Sequence, residues 1–414
     1  MTMAYVIFVN PSILEIAGVP KGPAITATAL AAGINTLMMG LVTNYPFAVA
    51  AGMGLNGVVT FSLVKGLGIP WQAAMGVVVI EGVIVTILVL TNIREAVMNA
   101  IPLSMKRAIG VGIGLFVATL GLEGGKIIVA HPATLVTFGS LKDKGVWVAV
   151  FGTLLTAVLM TRKVKGAILL GIIAATIFAI PLGVAHLPET VMSVPTRESF
   201  STLFATFKTN PATGAPYIVE VLNLGMAGTI FAFLMTDFFD TMGTVVAIGG
   251  EAGFLDEKGQ LPRIKKVLLV DSLAAVIGGA FGISSNTTYV ESGAGVSEGG
   301  RTGLTSVVVA ILFFLSMLFA PIAGIVPPQA TASALIVVGF LMMTVVKDID
   351  WTDFSEAFPA FITIIATPLT YSISRGIGYG FVTYVLTKAL TGRAKEVHWL
   401  MWIVSALFVV SFFY

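Results

Sequence analysis

The sequence predicts an all-α, polytopic membrane protein, and its composition and apolar segments lead to that class. Of the 414 residues, 57% are hydrophobic and only 11% are charged, whereas soluble domains carry about 25% charged residues. This excludes a soluble enzyme held by one membrane anchor. At about 20 apolar residues per crossing, we expect about 14 transmembrane helices. The chain has no cysteine, which excludes disulfides and thiolate metal sites.

The apolar segments form two groups of seven, separated by a long stretch at 184–223 that we expect outside the membrane. The segments lie at 1–14, 24–43, 47–66, 72–92, 103–122, 145–161, 166–183, 224–247, 264–282, 286–300, 303–320, 329–346, 358–373 and 376–391, and a further stretch closes the chain at 398–414. If the first segment runs outward, most of the 23 basic residues fall in loops on one side, including Lys163 and Lys388. The positive-inside rule assigns that side to the cytoplasm.

The third segment of each group is interrupted. Residues 46–57 crowd glycines and small residues before a helical run that we expect to begin at Val58. Residues 284–295 combine small, β-branched and polar side chains. Corresponding interrupted segments in two halves indicate a transporter's binding site, because half-helix ends and freed backbone groups can face a substrate there. Asn56 and Glu291 are polar residues at matching places in the two interruptions.

Five acidic residues fall inside predicted membrane segments, where each charge costs at least about 2.5 kcal/mol. They are Glu81, Asp237, Asp240, Asp271 and Glu291. Asp237 and Asp240 share one helix face because they are three residues apart, and no basic residue lies at comparable depth. We expect Asp240 and Glu291 to bind substrate or protons, and Asp237 to be a further proton-coupling candidate. Asp271 and Glu81 are assigned structural roles.

Hydrogen-bond chemistry indicates a planar, N–H-bearing guest for these acids. A carboxylate only accepts hydrogen bonds, an amide donates and accepts, and a purine base shows alternating N–H groups and lone pairs. Glu291 and Asp240 can each accept N–H donors. Asn56 can serve a mixed edge, and Tyr289 can stack or offer its hydroxyl. A buried carboxylate is also a proton carrier, charged while open to water and neutral during crossing.

Several motifs resemble those of one transporter family, and the similarity runs along the whole chain. They are Phe8-Val9-Asn10-Pro11, Gly52-Met53-Gly54-Leu55-Asn56, Asn92-Ile93-Arg94-Glu95 with Asn99-Ala100-Ile101-Pro102, the run 237–244, the run 287–303, and Pro368-Leu369-Thr370-Tyr371-Ser372-Ile373. Together they resemble the AzgA-like adenine, guanine and hypoxanthine permeases of the nucleobase-ascorbate (xanthine/uracil permease) transporter superfamily.

The resemblance implies both a fold and a set of site residues. About 14 helices would form two inverted seven-helix repeats, with short strands pairing at mid-membrane in the third and tenth segments. The implied units are a core domain from 1–92 and 224–320, a gate domain from 93–183 and 321–414, and an extracytoplasmic loop at 184–223. Carried over by motif, the substrate-binding residues are Asn56, Asp240, Thr244, Tyr289, Val290 and Glu291.

Two features depart from the family pattern. Ala51 stands where relatives usually carry a proline before the glycine motif, so we expect a softer strand-to-helix break. The nine residues before Asn10 are too few to cross a hydrocarbon core of about 30 Å at 1.5 Å per residue. We therefore expect the first helix to be incomplete in this sequence.

The leading hypothesis is a secondary active transporter that imports adenine, guanine and hypoxanthine with protons, or else with sodium. Transport of uracil, xanthine, ascorbate or an inorganic anion on the same fold stays open, as does a passive channel. An enzyme is not expected, because the G-x-S-x-G match at 295–299 lacks a soluble strand-turn-helix and a histidine partner. We expect a multi-pass plasma-membrane protein in the lipid bilayer, with no cofactor, metal or nucleic acid; homodimerisation stays open.

Overall fold

The structure is a computed structural model, and its helices confirm the predicted fold class. It describes residues 2–412 apart from 92–99, 189, 223–225, 227–228, 232, 235, 238–240, 242–243, 246–247, 250–251 and 255–260. The described chain is mostly helical, and its strands are three or four residues long. Among the residues predicted for the site, Asp240 lies outside the described residues.

The first half of the chain holds seven α-helices and three strands within its described residues. In order they are α1 (Val6–Ile16), α2 (Lys21–Thr43), β1 (Val49–Ala51), α3 (Met53–Gly57), a π-helix (Val58–Gly66), α4 (Trp71–Leu90), α5 (Leu103–Gly124), β2 (Ile128–His131), β3 (Leu135–Phe138), α6 (Lys144–Thr161) and α7 (Ala167–Ala179). Pro20, Pro70 and Pro102 stand directly before α2, α4 and α5. Proline has no N–H for a preceding turn, which favours a helix start at these points.

Residues 184–223 and the second half of the chain also contain mainly short and long helices. The elements are 3₁₀ turns at Arg197–Phe200 and Ala205–Phe207, α8 (Tyr217–Glu220), α9 (Ile264–Phe281), β4 (Asn286–Thr288), α10 (Ser292–Ser297), α11 (Gly303–Ser316), a 3₁₀ turn (Met317–Phe319), α12 (Ala320–Gly324), α13 (Pro328–Met343), a 3₁₀ turn (Thr344–Asp348), α14 (Phe354–Leu369), α15 (Ile373–Leu390), a 3₁₀ turn (Ala394–Glu396) and α16 (Trp399–Ser411). The described residues between 226 and 249 are also helical, and we call these described residues together the 226–249 helix.

Six of the described helical stretches are long and apolar enough to cross a membrane. They are Lys21–Thr43, Trp71–Leu90, Leu103–Gly124, Lys144–Thr161, Gly303–Gly324 and Pro328–Asp348. Shorter apolar helices at Val6–Ile16, Ala167–Ala179, Phe354–Leu369 and Trp399–Val410 accompany them. The chain is therefore a multi-pass membrane protein.

The helices pack in two groups. In the first, α2 packs on α1, α9 and α11, and α4 packs on α9. In the second, α5 packs on α13 and α14, α14 packs on α15, and α6 packs on α7 and α13. Contacts of α1 with α13 and of α3 with α5 join the two groups.

Small residues set the closest helix crossings. A Cβ on Gly303 of α11 would collide with the carbonyl oxygen of Gly40 in α2, and a Cβ on Gly339 of α13 would collide with that of Gly114 in α5. Lipid tails offer no hydrophobic driving force between helices, so such close backbone contact supplies the packing. Each group is thus held by at least one glycine crossing.

Two short strands, one from each half of the chain, pair with each other, as the family resemblance implies. β1 and β4 pair antiparallel, with Val49 opposite Thr288 and Ala51 opposite Asn286. The expectation that the following helix begins at Val58 was wrong, because α3 begins at Met53. Its first turn closes where the Asn56 N–H donates to the Gly52 carbonyl oxygen at 2.9 Å, so the helix follows the strand directly after Gly52.

Two other regions differ from the sequence-based expectation. Residues 128–138 form an antiparallel hairpin of β2 and β3, in a stretch where only a loop was expected between two crossings. Lys388 was assigned to a loop, but it lies inside α15 with a side chain only 1% exposed. Its burial follows from two glutamates that bind its ammonium group.

Candidate functional site

The candidate site is built around the β1–β4 pair, where the chain leaves helical geometry inside the fold. All six strand residues are buried. The ladder continues beyond the strands, since Tyr289 N–H donates to the Ala48 oxygen and Gly52 N–H donates to the Ser285 oxygen, both at 2.9 Å. Two interrupted segments, one from each half of the chain, are thereby fixed side by side.

Side chains from neighbouring helices satisfy the outer edges of this small sheet. The Thr36 hydroxyl of α2 lies 3.0 Å from both the nitrogen and the oxygen of Val49. On the other edge, the Asp271 carboxylate of α9 accepts hydrogen bonds from the N–H and the hydroxyl of Thr288, each at 3.0 Å. Unsatisfied backbone groups are costly away from water. Asp271 therefore acts as a structural edge partner, the role assigned to it from sequence.

The 226–249 helix is tied to the same strand pair by two of its polar residues. Asp237 accepts a hydrogen bond from the Ser285 hydroxyl at 2.9 Å. The Thr241 hydroxyl donates to the second oxygen of Asp271 at 2.6 Å. Asp237 and Thr241 are both fully buried, and Thr244, three residues after Thr241, is partly buried. Asp237 and Thr241 therefore face the start of β4 and α9.

Glu291 lies in the turn between β4 and α10. Its Oε1 accepts a hydrogen bond from the Tyr5 hydroxyl at 2.6 Å. Tyr289, two residues earlier, is buried and donates its hydroxyl to the carbonyl oxygen of Ala51. Val290 points away from the interior, with 54% of its surface exposed. The structure therefore brings Tyr289 and Glu291 together with the end of β1, but not the side chain of Val290.

Two buried amides near the strands lack hydrogen-bond partners among the described residues. Asn56 is fully buried, its Oδ1 accepts no hydrogen bond, and its Nδ2 reaches only the Met53 sulfur at 3.9 Å. Asn286 is fully buried, and neither Oδ1 nor Nδ2 has a partner. A buried polar group left unsatisfied costs about 1–3 kcal/mol. These two amides therefore keep hydrogen-bonding capacity that the described residues do not use.

Sequence reasoning missed Tyr5 and Asn286 as candidates. Tyr5 contacts a residue 286 positions away, so no local pattern could reveal it. Asn286 did carry a signal, because it is an amide within the polar interruption at 284–295. Glu81 is fully buried in α4. In the described part of the chain, no three histidine, cysteine or acidic residues cluster so as to hold a metal ion.

The arrangement of acceptors and amides suits a flat molecule with N–H groups on its edge. Glu291 supplies carboxylate oxygens, while Asn56 and Asn286 supply groups that donate and accept. Glu291 takes part in none of the salt bridges formed by the described residues. A neutral guest with N–H donors can therefore meet Glu291 without displacing a cation.

Comparison with known sequences identifies the family of such a site. Residues 1–379 match the xanthine/uracil permease profile, which is described as a permease family. The adenine permease AdeP of Escherichia coli (strain K12) is 39% identical over 99% of this chain and 90% of the relative. The guanine/hypoxanthine permease PbuO of Bacillus subtilis (strain 168) is 40% identical over 100% of this chain and 94% of the relative.

Solved structures show the same fold at much lower identity. The transmembrane domain of BicA, a cyanobacterium bicarbonate transporter, has a TM-score of 0.64 at 17% identity, over 90% of this chain and 95% of that one. SLC26A9 has a TM-score of 0.63 at 11% identity, over 94% of this chain and 64% of that one. These transporters share a fold with an inverted repeat. With the profile match and the full-length identities near 40%, the chain belongs to the nucleobase permease family and is a multi-pass protein of the plasma membrane.

Proposed function

We propose that this protein is a secondary active transporter that imports the purine nucleobases adenine, guanine and hypoxanthine by proton symport. One observation carries the proposal. Glu291 lies at the interruption between β4 and α10, and its hydrogen bond comes from the neutral Tyr5 hydroxyl rather than from a described basic side chain. A carboxylate in that position needs N–H donors or a proton.

The hydrogen-bond inventory of the strand pair supports a purine as the guest. The second oxygen of Glu291 can accept a ring or exocyclic N–H, and the Asn56 amide can pair with an edge that both donates and accepts. Tyr289 can offer its ring face at the wall of the site. Asp240 and Thr244 complete the proposed binding set through the family motif. Val290 belongs to the same motif and would take part through its backbone, because its side chain is exposed. The adenine permease and guanine/hypoxanthine permease relatives make the same substrate class the first to test.

Proton coupling follows from the partners of the acids. Glu291 and Asp237 receive hydrogen bonds from hydroxyl groups in the described structure. An acid without a cation partner at membrane depth can bind a proton and cross as a neutral group. Glu291 is the proton-coupling candidate that these contacts support. Asp237 and Asp240 are proposed beside it from their places in the sequence, with sodium as the other coupling ion to be tested.

The two packing groups supply the moving parts of this proposal. The core domain (1–92 and 224–320) would hold the strand pair and the substrate. The gate domain (93–183 and 321–414) would stay in place while the core moves against it. The contacts of α1 with α13 and of α3 with α5 lie on the surface between these units, which is where such a motion must change the packing.

Uptake into proteoliposomes tests the proposal. The purified protein is reconstituted, and uptake of radiolabelled adenine, guanine and hypoxanthine is measured with and without an inward proton gradient, and with a sodium gradient. We expect saturable accumulation that collapses when a protonophore is added. Glu291→Gln removes one charged acceptor and should lower uptake about 100-fold.

The matched control is Glu298→Gln. Glu298 belongs to the same part of the chain, but its side chain is 58% exposed and pairs with the exposed Lys165, so uptake should stay near the parent value. Unlabelled uracil, xanthine, ascorbate and bicarbonate are tested as competitors of purine uptake. If one of them inhibits uptake more strongly than the unlabelled purines do, that solute replaces purines as the proposed substrate. Flux without saturation would indicate a channel, and accumulation driven only by sodium would overturn proton symport.

A further inference from the structure

Tyr5 reaches from the start of the first helix to the acid of the tenth segment. It is the residue directly before α1 and is only 1% exposed. Its hydroxyl donates to Glu291 Oε1 at 2.6 Å, a length typical of a hydrogen bond from a hydroxyl to a carboxylate. A buried tyrosine hydroxyl usually finds a hydrogen-bond partner. Here it donates to Glu291, which is one of the proposed substrate-binding residues.

This hydrogen bond gives the two carboxylate oxygens of Glu291 different roles. Oε1 is occupied by Tyr5, while no side chain of the described residues donates a hydrogen bond to Oε2. A glutamate has several rotatable bonds, and its terminal torsion is broad. An anchor on one oxygen therefore fixes the direction in which the other oxygen points.

The surroundings of Tyr5 extend this anchor to both strands. The Tyr5 and Tyr289 rings lie 6.4 Å apart between centroids at 48°. Tyr289 in turn donates its hydroxyl to Ala51 at the end of β1. The start of α1, the Glu291 turn and the end of β1 are thus joined by two tyrosines.

We propose that Tyr5 is a positioning residue that orients Glu291 so that its second oxygen meets an N–H of the purine. This inference rests on the proposed function. Tyr5 does not contact the substrate; it sets affinity through the glutamate. A hydrogen bond depends on direction, so a small misplacement of the Glu291 carboxylate weakens its bond to the purine. Loss of the Tyr5 hydroxyl should therefore weaken purine binding more than it changes the maximal transport rate.

Tyr5→Phe removes only the hydroxyl and keeps the ring. The matched control is Tyr45→Phe, because Tyr45 is also buried and its hydroxyl donates to the Pro262 oxygen at 2.7 Å, away from Glu291. Equilibrium binding of radiolabelled adenine to the purified full chain is measured for both variants, for Glu291→Gln and for Tyr5→Phe combined with Glu291→Gln. Thermal melting of each variant shows whether it is folded.

We expect Tyr5→Phe to weaken adenine binding and raise KM about 10-fold, with the maximal rate within about 2-fold of the parent. In the Glu291→Gln background the same change should weaken binding less than about 2-fold, because the anchored group is already altered. Tyr45→Phe should bind adenine like the parent.

Two results would overturn the inference. One is parent-like adenine binding by Tyr5→Phe, and the other is a fully additive loss in the double variant, which would show a role independent of Glu291. If Tyr5→Phe fails to fold, the glutamate-anchoring account is rejected in favour of a structural one. Absence of purine binding by the unaltered chain would instead defeat the proposed function, and the inference with it.

Discussion

The acids beside the strand pair and the acids at the ends of α14 and α15 have different partners. Glu291 and Asp237 receive hydrogen bonds from the neutral hydroxyls of Tyr5 and Ser285. At the other place, the side chains of Asp353, Glu356, Lys388, Arg393 and Glu396 form a set of ion pairs that we call the charge cluster.

The charge cluster neutralises its acids from within the chain. The Lys388 nitrogen lies 2.9 Å from a carboxylate oxygen of Glu356 and 2.9 Å from one of Glu396. Arg393 binds Asp353 at 2.8 Å and Glu396 at 2.7 Å. These bonds join the start of α14, the end of α15 and the 3₁₀ turn after it.

The contrast separates two uses of the same residue types. A buried charge must be paired or must be able to lose its charge. In the charge cluster the pairing is complete within the protein, so those acids are explained by the fold. Beside the strand pair, the described partner of Glu291 is the neutral Tyr5 hydroxyl. An external partner, a purine or a proton, accounts for Glu291 in the proposed mechanism.

The largest effect that tests this contrast is expected from Lys388→Met. Removing one partner of a buried ion pair leaves an uncompensated charge, so the free energy of unfolding should fall by about 3 kcal/mol. Denaturant unfolding in detergent measures this change. Purine uptake per folded molecule should stay near the parent value.

The matched control for Lys388 is Lys395→Met, because Lys395 is exposed on the neighbouring turn. Its unfolding free energy should change by less than about 0.5 kcal/mol. A Lys388→Met protein that keeps its stability but loses transport would reverse the assignment and make the charge cluster functional.

Asp271 sharpens the comparison, since it is an acid beside the strand pair with a structural role. Asp271→Ala leaves the Thr288 N–H without its acceptor and should cost about 2 kcal/mol of unfolding free energy. Asp271→Asn keeps one acceptor oxygen, and the Thr241 hydroxyl can rotate to accept from the new amide, so it should cost less than half as much. Thermal melting of both variants gives the ratio; equal losses would show that the negative charge itself is needed.

The smallest effect is the pH dependence of the charge cluster. The Ser355 hydroxyl and then Arg393 hold the pKa of Asp353 at about 2, below its ordinary 3.8. Arg393 and then Lys388 hold the pKa of Glu396 at about 2, below its ordinary 4.5. A lowered pKa in the fold gives stability that is present above the ordinary pKa and lost as the pH falls towards about 2.

Arg393→Met should therefore lower the melting temperature at about pH 6, and its difference from the parent should shrink at about pH 3. The effect on the melting temperature will be small because the side chains of Arg393, Asp353 and Glu396 are partly exposed. Ion pairs open to solvent contribute little to the free energy of unfolding. Melting curves at the two pH values provide the measurement. A difference that grows on acidification would contradict the sign of the pKa shifts.

Hydropathy alone predicted the membrane class and most of the long helices, because runs such as α4 and α13 are predominantly apolar. It could not predict the β1–β4 pairing, which joins residues more than 230 positions apart and entered only through the family resemblance. The hairpin of β2 and β3 was missed because its apolar residues have no membrane-length run and are largely exposed.

The site was predicted less completely than the fold. Glu291 and Asn56 stood out because each is a polar residue at a matching place in one of the two interrupted segments. The hydroxyl that anchors Glu291 lies at the other end of the chain, so sequence spacing gave no sign of it. Lys388 was assigned to a loop for the same reason, since its partners Glu356 and Glu396 become neighbours only after α14 and α15 pack.

Adenine binding to purified Glu291→Gln and Lys388→Met proteins, measured side by side below their melting temperatures, tests the central claim most directly. We predict that Glu291→Gln melts like the parent but binds about 100-fold more weakly, whereas Lys388→Met melts earlier and, while folded, binds adenine within about 2-fold of the parent. Parent-like binding by Glu291→Gln would contradict the claim that this acid meets the substrate.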